Sequence, residues 1–229
     1  MKAPLTLALE GSTYVGSVAL LRDGEVIAEK TLPGDEGGAP ATGRGERLVP
    51  AVAECIAAAA VNGRDVTRII CGAGPGRFTS LRIAGSAAKG LATGFGAKLY
   101  GVSSLLLTVA GARPKLEPGE YLSVLDAMRG DWFVARVTIS ADGGVSENGA
   151  ARMVSSAELD TIARTDPRLR LIGPGQPIDA HPHARGVALL LSRIIAGGPV
   201  DLASWEPDYG RLPEAQVRRE AASRAAPAR

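Results

Sequence analysis

The segment Gly72-Ala73-Gly74-Pro75-Gly76-Arg77-Phe78-Thr79-Ser80-Leu81-Arg82 limits the possible fold more than any other stretch of the chain. It joins an apolar run, Thr67 to Cys71, to a helical pattern from Thr79 to Phe95, so it is a strand-to-helix turn. Glycines there allow positive φ and remove Cβ atoms from a close approach. Pro75 stiffens the turn and Phe78 can anchor it. Thr79 or Ser80 is the expected N-cap of the helix. The start of that helix offers unpaired N–H groups and a positive dipole end, the requirements of an anion site. Gly74, Gly76 and Thr79, with Glu10 at the end of the first strand, are the candidates for a vestigial nucleotide or anion loop. The segment lacks the Gly-Lys-Ser/Thr ending of a P-loop and the G-x-G-x-x-G spacing of a dinucleotide fingerprint. Taken alone, such a turn is more often structural than ligand-binding.

Around this turn the chain repeats one plan. Leu5 to Leu9, Val15 to Leu21 and Val26 to Leu32 read as three antiparallel strands, the last two joined by the hairpin signal Asp23-Gly24. Pro33 to Gly45 has no apolar period and reads as a loop. From Glu46 to Asn62 the spacing of Leu48, Val49, Val52, Ala53 and Ile56 predicts a helix, with Pro50 tolerable only near its first turn and Gly63 at C′. After the turn and its helix come a strand, Lys98 to Val102, and a helix capped by Ser103. In the second half, Tyr121 to Ala127 and Trp132 to Ser140 form a hairpin, and a weaker third strand follows. A short helix from Ser155 or Ser156 to Arg164 comes next, then a strand, Leu169 to Ile172, running into Gly173-Pro174-Gly175, and a helix from Ala184 to Ile195. Strand-strand-strand-helix-strand-helix thus occurs twice. The simplest architecture is a duplicated α/β chain with a cleft between lobes 1–104 and 105–229.

Composition excludes several classes. The 229 residues are 45% hydrophobic but only 4% aromatic, so the core is packed by small and aliphatic side chains. Lys and Arg number 26 against 24 Asp and Glu, so no large charge excess advertises nucleic-acid binding. The one local excess, Arg211, Arg218, Arg219, Arg224 and Arg229, reads first as a solvated helix and frayed terminus. Cys55 and Cys71 fall on apolar elements and read as buried reduced thiols. The opening MKAPLTLALEGST turns polar too quickly for a signal peptide, and no apolar run reaches the roughly 18 residues of a membrane span, so the expected compartment is the cytoplasm.

GAGPGRFTSLRIAGSAAKGLA resembles the G-x-GPGSFTG-x-R-x-G…A-x-GLA signature of the TsaB (YeaZ) family. LALEGSTYVGSVALLRDG is similar to that family's first hairpin, GVSSLLLTVAGA to its next strand and helix, LDAMRGDWFVARV to its second-lobe hairpin and EPDYGRLPEAQ to its terminal motif. These segments stand in family order from residue 5 to about residue 216. The resemblance implies a duplicated fold of the actin/hexokinase/Hsp70 superfamily (ASKHA). It also implies a subunit without a competent active site that joins the catalytic subunit TsaD and the ATPase TsaE. Together they attach a threonylcarbamoyl group to N6 of adenosine 37 in tRNA, which this chain would meet only through the complex. The chain departs from the family where Glu10-Gly11 stands for Asp-Thr, Arg77-Phe78-Thr79-Ser80 for Ser-Phe-Thr-Gly, and Gly43-Arg44-Gly45 for a polar approach to the first helix.

The chemistry of the residues points the same way. In ATPases of the superfamily a carboxylate at the end of the first strand holds hydrated magnesium. Here Glu10 occupies that place, but Asp126-Ala127-Met128-Arg129-Gly130-Asp131 lacks the small hydroxyl pair of a phosphate hairpin. Glu10 reads first as a turn-stabilising acceptor, with a metal ligand as the alternative. The histidines, His181 and His183, stand two apart between prolines, where they would bind a metal only adventitiously, and the catalytic relatives' His-x-x-x-His is missing. Ser12, Thr79 and Ser80 lack an evident base. No catalytic residue, metal or cofactor is expected.

By the resemblance, the helices 46–62 and 79–95 form the partner surface, and Leu48, Val52, Leu81, Ile83, Ala84 and Ala88 are its candidate contacts. Gly85 and Gly90 inside a helix each cost about 1 kcal/mol relative to Ala, which close packing of something against them would offset. Three rivals stand beside this reading: a small-molecule kinase or ATPase of the same superfamily, a metallopeptidase, and a homodimeric binding module unrelated to tRNA. A homodimer of the isolated chain is expected in either case.

Overall fold

The computed structural model describes residues 3–32 and 44–210. The loop after Leu32 and the arginine-rich end, Arg211 to Arg229, lie outside the described residues. The chain opens with β1 (Leu5–Glu10), β2 (Gly16–Arg22) and β3 (Glu25–Leu32), followed by α1 (Arg44–Ala58), β4 (Val66–Gly72), α2 (Phe78–Phe95), β5 (Lys98–Val102) and α3 (Ser104–Ala110). The second half contains β6 (Gly119–Asp126), β7 (Asp131–Ile139), β8 (Val145–Ser155), α4 (Ser156–Thr165), β9 (Arg170–Gly173), β10 (Ile178–Asp179) and α5 (Val187–Ala196). The two sheets run β3-β2-β1-β4-β5 and β8-β7-β6-β9-β10. In both, the first three strands form antiparallel hairpins and the fourth pairs parallel to the first. The order is the same in each half: this is the duplicated α/β fold expected from the sequence.

The duplication differs from expectation in one element. Between β9 and α5 stands the two-residue strand β10, so α5 is the counterpart of α3, and the second lobe has no helix equivalent to α2. The four residues between Gly173 and Ile178 are too few for a helix of useful length.

Alternation along the strands builds a layered core. On β1, Leu5, Leu7 and Leu9 face α1 and α2, where they pack with Val52, Cys55, Ile69, Ala84 and Ala88. Ala8 on the opposite face joins Ile70, Leu107, Val137, Ile172 and Leu190 in a second layer between the two sheets, with α3 and α5 inside it. The outer face of the second sheet is covered by α4 through Leu159 and Ile162. After α5 the chain returns to the first lobe: the Val200 N–H donates to the Leu99 carbonyl (2.9 Å), and Val200, Leu202 and Trp205 pack into that lobe's core.

The ends of the helices are resolved by specific groups. The Ser103 hydroxyl accepts the Leu106 N–H at the start of α3, and Ser155 accepts the Glu158 N–H at the start of α4. For α2 the expected caps are not used: the N-cap is Arg77, with no side-chain hydrogen bond, because its own N–H is fixed by the Ser12 carbonyl (2.8 Å). Helix α1 starts at Arg44, so Pro50 falls in its second turn, on the exposed side. Its C-terminus also differs from the expected glycine cap. Val61 N–H donates to the Ile56 carbonyl and Ala60 N–H to the Ala57 carbonyl, a Schellman pattern with Ala60 at φ 49°. Gly63 lies beyond it, in a 3-10 turn. An exposed alanine is thus held in the left-handed region. Ala60→Gly is expected to stabilise the chain by about 1 kcal/mol, read as a higher urea midpoint at unchanged slope.

Candidate functional site

The candidate residues of the first lobe meet at the C-terminal ends of β1 and β4. Glu10 closes β1 and is 0% exposed. Its Oε1 accepts the Ser12 N–H (2.6 Å), and its Oε2 accepts the hydroxyl of Ser104 (3.0 Å), the first residue of α3. That hydroxyl accepts in turn from the Gly74 N–H (3.2 Å), while the Ser104 N–H donates to the Gly74 carbonyl (2.8 Å). The carboxyl therefore links the β1–β2 turn, the glycine loop and α3. A Cβ at Gly72 would overlap Glu10 Oε2, so this glycine is the slot in which the carboxyl sits. Burial pushes the Glu10 carboxyl above the usual carboxylate range, against the hydrogen bonds from Ser12 and Ser104. Burial pushes the thiol of neighbouring Cys71 up as well, far from the range of a nucleophile. The structure thus places Glu10 as a turn-stabilising acceptor inside the fold.

The glycines of the loop make room for backbone of the same chain. At Gly74, with φ +92°, a Cβ would overlap the Asp208 carbonyl oxygen, and at Gly76 it would overlap the Ser12 carbonyl. Asp208 donates its N–H to the Ala73 carbonyl (2.7 Å). The loop is held between the first hairpin and the segment from Trp205 to Gly210, and both of its close approaches are occupied. A Cβ at Gly85 on α2 would come within 3.0 Å of Pro207, so the glycine gives that ring its room, and Gly101 faces the Trp205 indole. The small side of α2 therefore has an internal partner, which the sequence left between sheet and interface. A Cβ at Gly90 would meet nothing within 4 Å. Of the proposed loop residues, only Thr79 is exposed.

The same holds for most of the proposed partner contacts. Leu48, Val52, Leu81, Ala84 and Ala88 are all buried in this chain's own core, because the apolar stripe that marks a helix face first covers its own sheet. A charge at Ala88 would disrupt the fold. Ile83 is half-buried, and with Thr13, Tyr14, Leu32, Arg47 and Ser80 it lines a groove between α1, α2 and the first hairpin. The groove encloses about 50 Å³, well below the ~300–1,000 Å³ of small-molecule pockets. Its size suits an inserted side chain.

His181 and His183 lie away from the cleft mouth. His183 caps a 3-10 turn, its Nδ1 accepting the Arg185 N–H, and its Nε2 lies 2.9 Å from the Thr31 hydroxyl. Burial, with Arg185 and Arg113 nearby, lowers its pKa to about 3, so the ring is neutral and committed to the lobe junction. Among the described residues, no group of three or more His, Cys, Asp or Glu is placed to hold a metal ion.

A cluster of rings and arginines stands where the glycine loop faces the β6–β7 turn, and Phe78, expected from the sequence as an anchor of that loop, is 49% exposed there. The Arg77 guanidinium lies 3.5 Å from the centre of the Tyr14 ring and donates toward Met128 Sδ (3.4 Å) across the cleft. Met128 and Arg129 sit in the β6–β7 turn, both at positive φ. Phe78 meets the Tyr209 ring at 4.7 Å and has the Arg82 guanidinium over it at 5.4 Å. The signal was present in Arg77-Phe78 and in the terminal EPDYG motif, but their contact depends on the return of the chain after α5.

The family described as TsaD, tRNA N6-adenosine threonylcarbamoyltransferase, matches residues 41–166, more than half of the chain. The Escherichia coli tRNA threonylcarbamoyladenosine biosynthesis protein TsaB is 31% identical over 137 residues, 60% of this chain and 56% of that protein. The Bacillus subtilis TsaB is 32% identical over 127 residues, 56% and 52% of the two chains. In these matches the chain spans about half the length of the TsaB relatives. An uncharacterised Mycobacterium tuberculosis protein is 29% identical over 220 residues, 92% of this chain and 93% of its own. A Pseudomonas aeruginosa protein described as similar to peptidase YeaZ superposes with a TM-score of 0.75 at 24% identity, covering 91% of this chain and 100% of that one.

Two outcomes test the buried carboxyl. The folded chain holds the Glu10 proton more tightly than the unfolded chain does, so its stability declines as pH rises above the ordinary carboxylate range. Glu10→Gln, which imitates the protonated form, is expected to flatten that part of the pH–stability curve measured by urea unfolding. Gly72→Ala is expected to cost about 2–3 kcal/mol, read in the same assay, by driving a methyl group into the carboxyl slot.

Proposed function

Because the chain belongs to the TsaB (YeaZ) family, we propose that it is a non-catalytic subunit of the machinery that makes N6-threonylcarbamoyladenosine in tRNA, working in the cytoplasm. Its role is to bind the homologous catalytic subunit TsaD, with the ATPase TsaE, and hold TsaD in its active arrangement. The observation that carries this reading is the state of the cleft. The carboxyl at the end of β1 is turned into the fold, and the glycine loop is filled by Ser12 and Asp208. A cleft committed to internal contacts supports a docking role over a phosphate-transferring one. Among the described residues no helix is long and apolar enough to cross a membrane.

The docking face is best sought on the exposed parts of α1 and α2. Val49, 48% exposed, stands on α1, and Ile83 lines the groove beside it. A helix of the partner laid along this pair could insert one apolar side chain into the groove.

Two measurements test the proposal. Mixing TsaD, TsaE, the threonylcarbamoyl donor and tRNA is expected to give modified adenosine only when this chain is added. Modification without it, or ATP turnover by this chain alone, would restore the enzyme readings. Val49→Arg with Ile83→Arg is expected to abolish co-purification with TsaD while thermal unfolding of the isolated chain stays within a few degrees of the parent. Undiminished binding removes this helix pair from the interface.

A further inference from the structure

We propose that the mouth of the cleft, built around Tyr14, Arg77, Phe78 and Arg82, is a direct contact surface for single-stranded RNA. This inference rests on the tRNA-modification reading above and goes beyond it, since the subunit would then touch the substrate itself.

Three independent observations converge there. First, Tyr14 and Phe78 are 43% and 49% exposed, among the few large apolar side chains the fold leaves in solvent. Second, each carries an arginine on its ring, Arg77 at 3.5 Å from Tyr14 and Arg82 at 5.4 Å from Phe78. A guanidinium held over an aromatic ring is partly ordered in advance, so a phosphate or base that binds it costs less side-chain entropy than at a free arginine. Third, a further positive charge stands close by: Arg77 reaches Met128 in the β6–β7 turn, and the next residue of that turn, Arg129, is exposed. Asp126 and Asp208 border the surface, each accepting a turn N–H, from Met128 and Gly210.

Interleaved aromatics and arginines are the chemistry of single-strand recognition: bases stack, and phosphates meet guanidinium groups. A duplex hides its base faces and would use only the charge. The expected preference is therefore for an unpaired loop.

The test uses the full chain and a fluorescein-labelled single-stranded oligoribonucleotide of mixed sequence, with the same sequence as a duplex for comparison. Binding is followed by anisotropy between 50 and 200 mM salt. The parent is expected to bind the single strand more tightly than the duplex, with a steep salt dependence. Arg77→Ala with Arg82→Ala should lower the slope of log affinity against log salt by about 1.4, two phosphates at about 0.7 each. Phe78→Ala should weaken binding about tenfold with the slope kept. Arg82→Lys alone should keep the parent's slope, and Arg64→Ala with Arg164→Ala, on other surfaces, should change neither value. Circular dichroism identifies any variant that fails to fold, and the charge-keeping Arg82→Lys then decides. Absence of salt-dependent binding by the parent, or arginine variants that bind as the control does, overturns the inference. So does retained RNA binding with loss of TsaD, which would make this a protein interface. Modification that still needs the chain under those results leaves the subunit role standing; modification that never needs it removes that role instead.

Discussion

The arrangement of the first lobe depends on one buried carboxyl. Glu10 ends a strand that is otherwise apolar except for Thr6, and it is fully enclosed. An isolated carboxyl in such a place would be costly, and two features offset the cost. The Ser12 N–H and the Ser104 hydroxyl donate to its two oxygens, and Gly72 opens the space they require, while burial still holds its pKa above the ordinary range. Since Ser104 is also bonded to Gly74, the same group sets the position of the glycine loop relative to α3. The loop then receives Ser12 on one side and Asp208 on the other. A residue placed where a metal ligand could stand has become the hub of a hydrogen-bond network inside the protein.

Much of this fold is legible in the sequence because local signals carry it. Asp23-Gly24 adopts positive φ at both positions, as its hairpin requires, and Ser103 and Ser155 cap the helices their spacing announces. The apolar alternation on β1 places its leucines correctly toward the helices. What sequence reading could not supply were contacts made by distant parts of the chain. Thr79 and Ser80 satisfy every local rule for an N-cap, yet the helix starts one residue earlier, at Phe78, because a carbonyl in the first hairpin fixes Arg77. Gly85 in α2 looks like an invitation to an outside partner, and the chain answers it with Pro207. Ala60 holds a left-handed cap usually given to glycine, since the Schellman bonds on either side of it outweigh the strain. The cleft-mouth cluster was the least legible, because Phe78 and Tyr209 meet only after the chain has traversed the second lobe.

Small and apolar residues on α2 serve the fold before they can serve a partner. Leu81, Ala84 and Ala88 carry the apolar moment of α2, and that moment points at the protein's own sheet. The apolar side chains that weaken the pattern, Val49, Ile83 and Phe78, are the ones left exposed or half-buried. Helix amphipathicity here locates the core.

The missing counterpart of α2 has a geometric consequence. Two copies of one motif within a chain would, if complete, give the molecule two equivalent helical faces related by its internal pseudo-symmetry. Each molecule could then recruit a neighbour at either end, and association would run on into a filament. With a tight turn standing between β9 and β10, one of those faces does not exist. A surface present once per chain offers a single place to dock, so an isologous pairing through it would close at two copies.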